Sequence, residues 1–95
     1  MHTYETVFAV PASITIEERE GSIKSVEELI TSLNGSVTTS EEIGEKEMAY
    51  KVKGNDRAYY HLIKFDCPPE KVNELSRHYR IHNNYIRNLI IVEDK

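Results

Sequence analysis

The sequence contains one cysteine, Cys67, among its 95 residues. One thiol cannot form an internal disulfide or supply a multi-cysteine metal site. Long apolar runs are also missing, since no run is longer than LIIV at 89–92, far short of the roughly 20 residues that a membrane-spanning helix needs. The first residues, MHTYETVFAV, lack a basic segment followed by an apolar stretch, so we expect no signal peptide. These absences indicate no membrane and a cytoplasmic protein, or an organellar one if a transit peptide has been removed.

Motifs for catalysis and metal binding are absent as well. No Ser/His/Asp grouping or close acid pair stands out. His78 and His82 are four residues apart, but we expect the helix to end between them, and no third ligand is evident. Cys67 precedes Pro68 at a predicted helix start, a place that can lower a thiol pKa, but without a histidine and acid partnership we interpret it as structural. We therefore predict no enzyme, no cofactor, no metal and no small-molecule substrate.

Length and composition fit a single domain spanning residues 1–95. A chain of this length supports one hydrophobic core but not two. Apolar residues make up 39% of the chain, as in ordinary globular proteins, so we do not expect disorder. The sequence shows no internal repeat, low-complexity tract or linker.

The net charge of −4 conceals an asymmetry between the two halves of the chain. Residues 1–45 hold nine acidic and two basic residues, whereas residues 46–92 hold nine basic and five acidic ones. Such asymmetry is a hint of a polyanionic partner. Acids and bases that pair across the fold would produce the same pattern, so charge alone leaves both interpretations open.

Alternation and capping signals predict the first two elements. Residues 4–10 alternate between apolar and polar side chains, as a half-buried strand does. Thr15 and Glu18 have the spacing of a capping box, which predicts a helix start. Apolar residues then recur at near-helical spacing from Ile16 onward, and Asn34-Gly35 supplies a left-handed stop.

The rest of the chain predicts a hairpin, a second helix and a last strand. The second strand is expected over 36–53 with a bulge at Gly44, and a turn at 54–56 leads to a third strand at about 57–66. Pro68-Pro69 suits the first turn of a helix, where a missing amide costs little. Residues 85–92 are rich in β-branched side chains and predict a fourth strand.

The order β-α-β-β-α-β predicts an α+β fold of the ferredoxin-like type. Each β-α-β half needs a right-handed crossover, and the simplest compact solution is a four-stranded antiparallel sheet with two helices on one face. We expect seven apolar residues to form the core between helices and sheet: Phe8, Val26, Ile30, Leu33, Ile63, Phe65 and Leu75. The opposite side of the sheet, here called the open face, is then the place for a function.

The predicted third strand separates into two sets of side chains. The bulkier set, from Tyr59 to Phe65 in steps of two, is expected to meet the helices. Tyr60, Leu62 and Lys64 would then lie on the open face. A tyrosine there could stack on a base or fill a partner's pocket, or it could serve only as a good strand former.

Short motifs along nearly the whole chain resemble the bacterial-type family of small-subunit ribosomal protein six. They begin with Tyr4-Glu5 in the first strand. The most specific, EIGEKEMAY at 42–50, is similar to the family's Gly-x-basic-x-Leu-Ala-Tyr segment. An aromatic third strand and the helix at 69–80 follow, and RIHNN at 80–84 with Ile86-Arg87 is similar to the family's closing motif.

The resemblance implies a non-enzymatic component of the small subunit's platform. It implies binding to the central domain of 16S-type rRNA together with small-subunit ribosomal protein eighteen, on a cytoplasmic or organellar ribosome. The predicted RNA-binding residues, from the matched motifs and the basic hairpin, are Lys46, Lys51, Lys53, Arg57, Arg80 and Arg87. The predicted partner-binding residues are Tyr50, Tyr60 and Leu62.

Two other classes of function stay open at this point. The first is a ferredoxin-like regulatory or protein-interaction module that dimerises through its open sheet face without RNA. The second, which the motifs favour less, is a small enzyme on the same scaffold.

Overall fold

The computed structural model describes residues 2–52, 54–82 and 84–93, with all their side chains except those of Tyr50 and Val52. The four strands form one antiparallel sheet in the order β2-β3-β1-β4. This arrangement confirms the predicted ferredoxin-like α+β fold with both helices on one face. The elements in chain order are β1 (His2–Pro11), α1 (Ile16–Ser32), β2 (Ser36–Val52), β3 (Asn55–Cys67), a 3₁₀ turn (Pro69–Lys71), α2 (Asn73–Ile81) and β4 (Arg87–Val92).

The start and the end of α1 lie where the sequence predicts them. The Glu18 amide donates to Thr15 Oγ1 over 3.1 Å, and the Thr15 amide donates to Glu18 Oε1 over 3.0 Å, so both halves of the capping box form. Asn34 adopts a left-handed φ of 65° and ends the helix. Ile16, the first apolar residue of the helical pattern, is 59% exposed. It precedes Val26 by ten residues, which places it about 80° from the buried direction around the helix axis.

The β2–β3 hairpin contains the predicted irregularity at Gly44. The register shifts between Glu42 and Gly44, and Gly44 has a φ of 116°, which an L side chain rarely adopts. The hairpin turn is shorter than predicted, because Val52 pairs directly with Asn55 and β3 therefore begins two residues earlier than expected.

The last two elements also start at positions that differ from the prediction. Pro68 and Pro69 lead into a 3₁₀ turn, and α2 itself begins only at Asn73. β4 begins at Arg87, where the regular ladder with β1 starts, and Tyr85 and Ile86 just before it are buried.

None of the helices among the described residues is long and apolar enough to span a membrane.

The main core lies between the helices and the sheet, and it confirms the predicted set of residues. Phe8, Val26, Ile30, Ile63, Phe65 and Leu75 are each at most 1% exposed, and Leu33 packs half-buried against them. Cys67 is fully buried in the same core, and burial raises the pKa of its thiol above the ordinary value, which fits a structural role. A second, smaller cluster lies on the open face: Ala9, Met48, Ala58 and Ile86, with Tyr60 packed against them.

Candidate nucleic-acid and partner interface

Side chains on the open face lie in rows that cross the sheet from β4 to β2. Paired residues on neighbouring antiparallel strands point to the same face, so the strand registers identify each row. The rows are Arg87–Ala9–Tyr60–Gly44, then Leu89–Val7–Leu62–Glu41, and then Ile91–Glu5–Lys64–Thr39.

The middle of the open face is apolar. Val7 and Leu62 are half-buried neighbours in one row, and Leu89 beside them is 53% exposed. Tyr60 is half-buried in the next row. The structure therefore places two of the predicted partner-binding residues, Tyr60 and Leu62, together on the open face. The side chain of Tyr50, the third, lies outside the described residues.

The β2–β3 hairpin folds over one end of this apolar area and forms a cleft. Met48 is only 9% exposed because it packs on Ala9 and Ala58. Between Met48 and the start of β4 lies a cleft of about 430 Å³. Its lining includes Val7, Glu47, Met48, Ala49, Tyr60, Arg87 and Leu89. The sequence reasoning missed Met48 and Ile86 as structural residues of this end, although Met48 occupies the apolar position of the motif at 42–50.

The predicted basic residues surround the hairpin end of the open face. Arg87 lines the cleft, and Lys46 pairs with Ala58, so both side chains belong to the open face. Lys51 is exposed further along β2. Lys53 lies outside the described residues. The structure therefore brings Arg87 to the same end of the sheet as the basic hairpin.

Two predicted RNA-binding residues have different surroundings. Arg57 is exposed but donates to Glu45 through its Nε at 2.5 Å, and this hydrogen bond, with the charge of Glu45, raises the pKa of the guanidinium. Its charge is therefore partly compensated within the hairpin. Arg80 is exposed in the last turn of α2, in the helical layer rather than on the open face.

The opposite end of the open face is acidic. A hydrogen bond with Glu93 raises the pKa of Glu5, and burial and the charge of Glu93 act in the same direction, while Lys64 opposes them. Lys64 Nζ lies 3.9 Å from Glu93 Oε2. The carboxylates of Glu5 and Glu93 repel phosphate. The open face is therefore polarised, with its basic side at the hairpin and Arg87.

A serine, a histidine and a glutamate meet at the junction of β2, β3 and α1, but in an order that does not activate a nucleophile. Ser40 Oγ donates to Glu27 Oε2 over 2.6 Å, so His61 Nε2 donates to Ser40 Oγ over 2.8 Å. In a catalytic triad the histidine accepts the hydroxyl proton. Here the serine proton goes to the glutamate, and the histidine proton goes to the serine.

A second histidine group lies between α1 and the start of β4. Tyr85 donates its hydroxyl proton to Ser22 O over 2.8 Å, so His78 Nε2 donates to Tyr85 Oη over 3.2 Å. The ring centroids of His78 and His82 lie 4.2 Å apart, and the ring planes are tilted by 36° to each other. Burial, followed by the charge of His82, lowers the pKa of His78. Within the described ranges no three His, Cys, Asp or Glu side chains are grouped so that they could hold a metal ion.

Comparisons with known proteins find relatives over nearly the whole chain. The small ribosomal subunit protein bS6 of Sulfurimonas denitrificans is 32% identical over 94 residues, which cover 99% of this chain and 69% of that protein. The same protein of Caldanaerobacter subterraneus subsp. tengcongensis is 35% identical over 94 residues and is covered to 99%, as is this chain. The crystal structure of 30S ribosomal protein S6 from Thermotoga maritima superposes with a TM-score of 0.92 at 27% identity, over 97% of this chain and 87% of that one.

The fold, the polarised open face and these relatives define a protein of the small ribosomal subunit. The sequence profile described as Ribosomal protein S6 matches residues 3–92. The chain belongs to the ribosomal protein S6 family. This family consists of structural proteins of the ribosome rather than enzymes in general.

Proposed function

We propose that the open face binds the central domain of 16S-type rRNA jointly with small-subunit ribosomal protein eighteen, on the ribosome of a bacterial cytoplasm. The observation that carries the proposal is the placement of an apolar area directly beside a basic end. Val7, Leu62 and Tyr60 offer a surface that a protein can desolvate. Arg87 and Lys46 lie at the edge where phosphate would approach.

The charges of this chain support a need for the partner. A net charge of −4 provides no long-range attraction to a phosphate backbone. Glu45 compensates Arg57, and the pair of Glu5 and Glu93 makes the far end of the open face acidic. A basic partner docked on the apolar area would enlarge the positive surface and keep these acids away from RNA.

Binding to an rRNA junction fragment tests this proposal. We expect the isolated chain to bind weakly at physiological salt and the equimolar mixture with protein eighteen to bind at least about a hundredfold more tightly, since the partner supplies both charge and contact area. The measurement is a filter-binding titration of labelled RNA at constant ionic strength. Tight binding by the isolated chain would contradict the joint mechanism.

A substitution at Tyr60 tests the docking surface directly. Tyr60→Asp places a charge in the half-buried row beside Ala9, so we expect partner docking and RNA binding to be lost together. Asn73→Asp adds the same charge at an exposed position at the start of α2 and should leave both unchanged. Thermal denaturation followed by circular dichroism shows whether both variants remain folded. Normal docking of a folded Tyr60→Asp variant would exclude this surface.

A further inference from the structure

The two edge strands of the sheet, β2 and β4, differ in how well they are protected against pairing with a further strand. The outer strand β2 has register shifts between Val37 and Thr39 and between Glu42 and Gly44. Bulges and charged side chains are the usual means by which proteins block an edge. β2 has both, since it also contains the glutamates Glu41, Glu42, Glu45 and Glu47.

The other edge, β4, has no register shift, and charged residues lie only at its two ends. Its register with β1 is unbroken from Arg87 to Val92, and no charged residue lies between Arg87 and Glu93. Leu89, Ile91 and Val92 are 53%, 44% and 54% exposed. A regular, apolar and exposed edge strand is a template for pairing with another strand.

The backbone of β4 shows which groups are available for such pairing. The Glu93 amide donates to Thr3 O over 2.8 Å, so residues 93, 91, 89 and 87 form the hydrogen-bonded pairs with β1. The N–H and C=O groups of Asn88, Ile90 and Val92 therefore point away from the sheet. In the described part of the chain the sheet has no strand beyond β4.

We propose that β4 pairs antiparallel with β4 of a second copy of this chain, around a two-fold axis at Ile90. In this register the outward groups of Ile90 bond to Ile90 of the second copy, and those of Asn88 bond to Val92 of the second copy. Leu89 lies opposite Ile91 of the second copy on the open face. The two sheets join into one continuous sheet.

The charges at the two ends of β4 favour this register, and they favour a second copy of this chain as the pairing partner. Arg87 precedes the apolar residues and Glu93 follows them, and both belong to the open face because they share the parity of Leu89. Antiparallel pairing around Ile90 places Arg87 of each copy opposite Glu93 of the other. A shift by two residues keeps the backbone bonds but breaks both charge pairs. A second copy is therefore complementary to this edge in charge, hydrophobicity and backbone pattern together.

The small contact area of one edge strand predicts a weak dimer. Interfaces of this size dissociate readily, so the dimer should appear only toward high concentration. Sedimentation equilibrium of the full chain, from about 10 μM to about 1 mM, covers the range in which such interfaces dissociate. We expect the apparent mass to rise from one chain to two across this range.

Charge reversal provides a specific test. Arg87→Glu alone and Glu93→Arg alone each place like charges opposite each other at both ends, so each variant should dimerise about tenfold more weakly than the wild type. The equimolar mixture of the two variants restores both opposite-charge pairs and should form a heterodimer at wild-type strength. Arg80→Glu changes the net charge as much as Arg87→Glu but lies in the helical layer, so it should dimerise as the wild type does.

A backbone variant tests the hydrogen bonds independently of charge. Asn88→Pro removes an outward N–H, which β1 does not use, at an exposed position that does not pack in the core, and should abolish the dimer while the domain stays folded. A chain that is monomeric at every concentration would overturn the proposal. Two further results would overturn it. One is an equimolar mixture of the two charge-reversed variants that dimerises no more strongly than either variant alone. The other is a dimer that is lost in Tyr60→Asp but kept in both charge-reversed variants.

Discussion

The side chain of His61 is held in one tautomer by the hydrogen bonds of Ser40 and Glu27. Because Nε2 carries the proton that bonds to Ser40, Nδ1 is unprotonated, and it is buried without a hydrogen-bond partner among the described residues. A second proton on this ring would place an unpaired N–H in the interior. Burial accordingly lowers the pKa of His61 below its ordinary value of 6.5, although Glu27 and Glu42 act in the opposite direction.

This lowered pKa predicts a loss of stability on acidification. The unfolded chain takes up a proton at His61 below about pH 6.5 while the folded chain resists it, so the free energy of unfolding falls as the pH falls. We expect His61→Gln, which keeps a donor for Ser40 but does not titrate, to lose less stability between about pH 7 and about pH 5. Urea denaturation at several pH values measures the difference. The raised pKa of Glu5 has the opposite effect on stability, and this effect is the same in the wild type and in His61→Gln. Parallel pH profiles of the two proteins would therefore contradict the role of His61.

The proposed phosphate contact of Arg87 predicts a change in salt dependence. Each phosphate contact that is lost reduces the slope of log K against log salt concentration by roughly one. Arg87→Ala should therefore flatten the slope for binding of the rRNA fragment by the pair with protein eighteen. Arg77→Ala removes the same charge from an exposed position on α2 and should leave the slope as it is. Equal slopes for the two variants would assign Arg87 no phosphate contact.

At the scale of elements, α1 owes its start to two reciprocal hydrogen bonds. Thr15→Ala removes the acceptor for the Glu18 amide, and we expect a loss of about 1 kcal/mol in the free energy of unfolding. Thr31→Ala makes the same chemical change inside the helix at an exposed position, where alanine has the higher helix propensity. That variant should be as stable as the wild type or slightly more stable. Chemical denaturation measures both, and equal losses would show that the cap contributes no stability of its own.

At the scale of the whole molecule, the sheet carries a large core on its helical face and a small cluster on its open face. The large core contains Ile30 and Leu75, neither of which is exposed. Truncation of either to alanine should reduce the free energy of unfolding by roughly 2–5 kcal/mol, because a cavity remains. Ile81→Ala, at a position that is 63% exposed, should cost less than about 0.5 kcal/mol. Losses of similar size at Ile81 and Ile30 would contradict this assignment of the core.

The sequence alone determined the features that rest on neighbouring residues. The capping box joins Thr15 and Glu18, three residues apart, and the left-handed stop at Asn34 is local as well. Alternation in β3 assigned Tyr60 and Leu62 to the open face, because the strand period places every second side chain on the same side. The motifs identified the family for the same reason, since their spacing along the chain can be read without the fold.

The tertiary structure decided which distant residues share a site. Met48 packs on Ala9, and Ser40 links His61 to Glu27, through contacts that no local period encodes. The start of β4 at Arg87 and its unprotected outer edge follow from the strand order, which depends on how all four strands pack. Residues far apart in the chain meet only in the packed fold, and the free energy of that burial belongs to the whole fold.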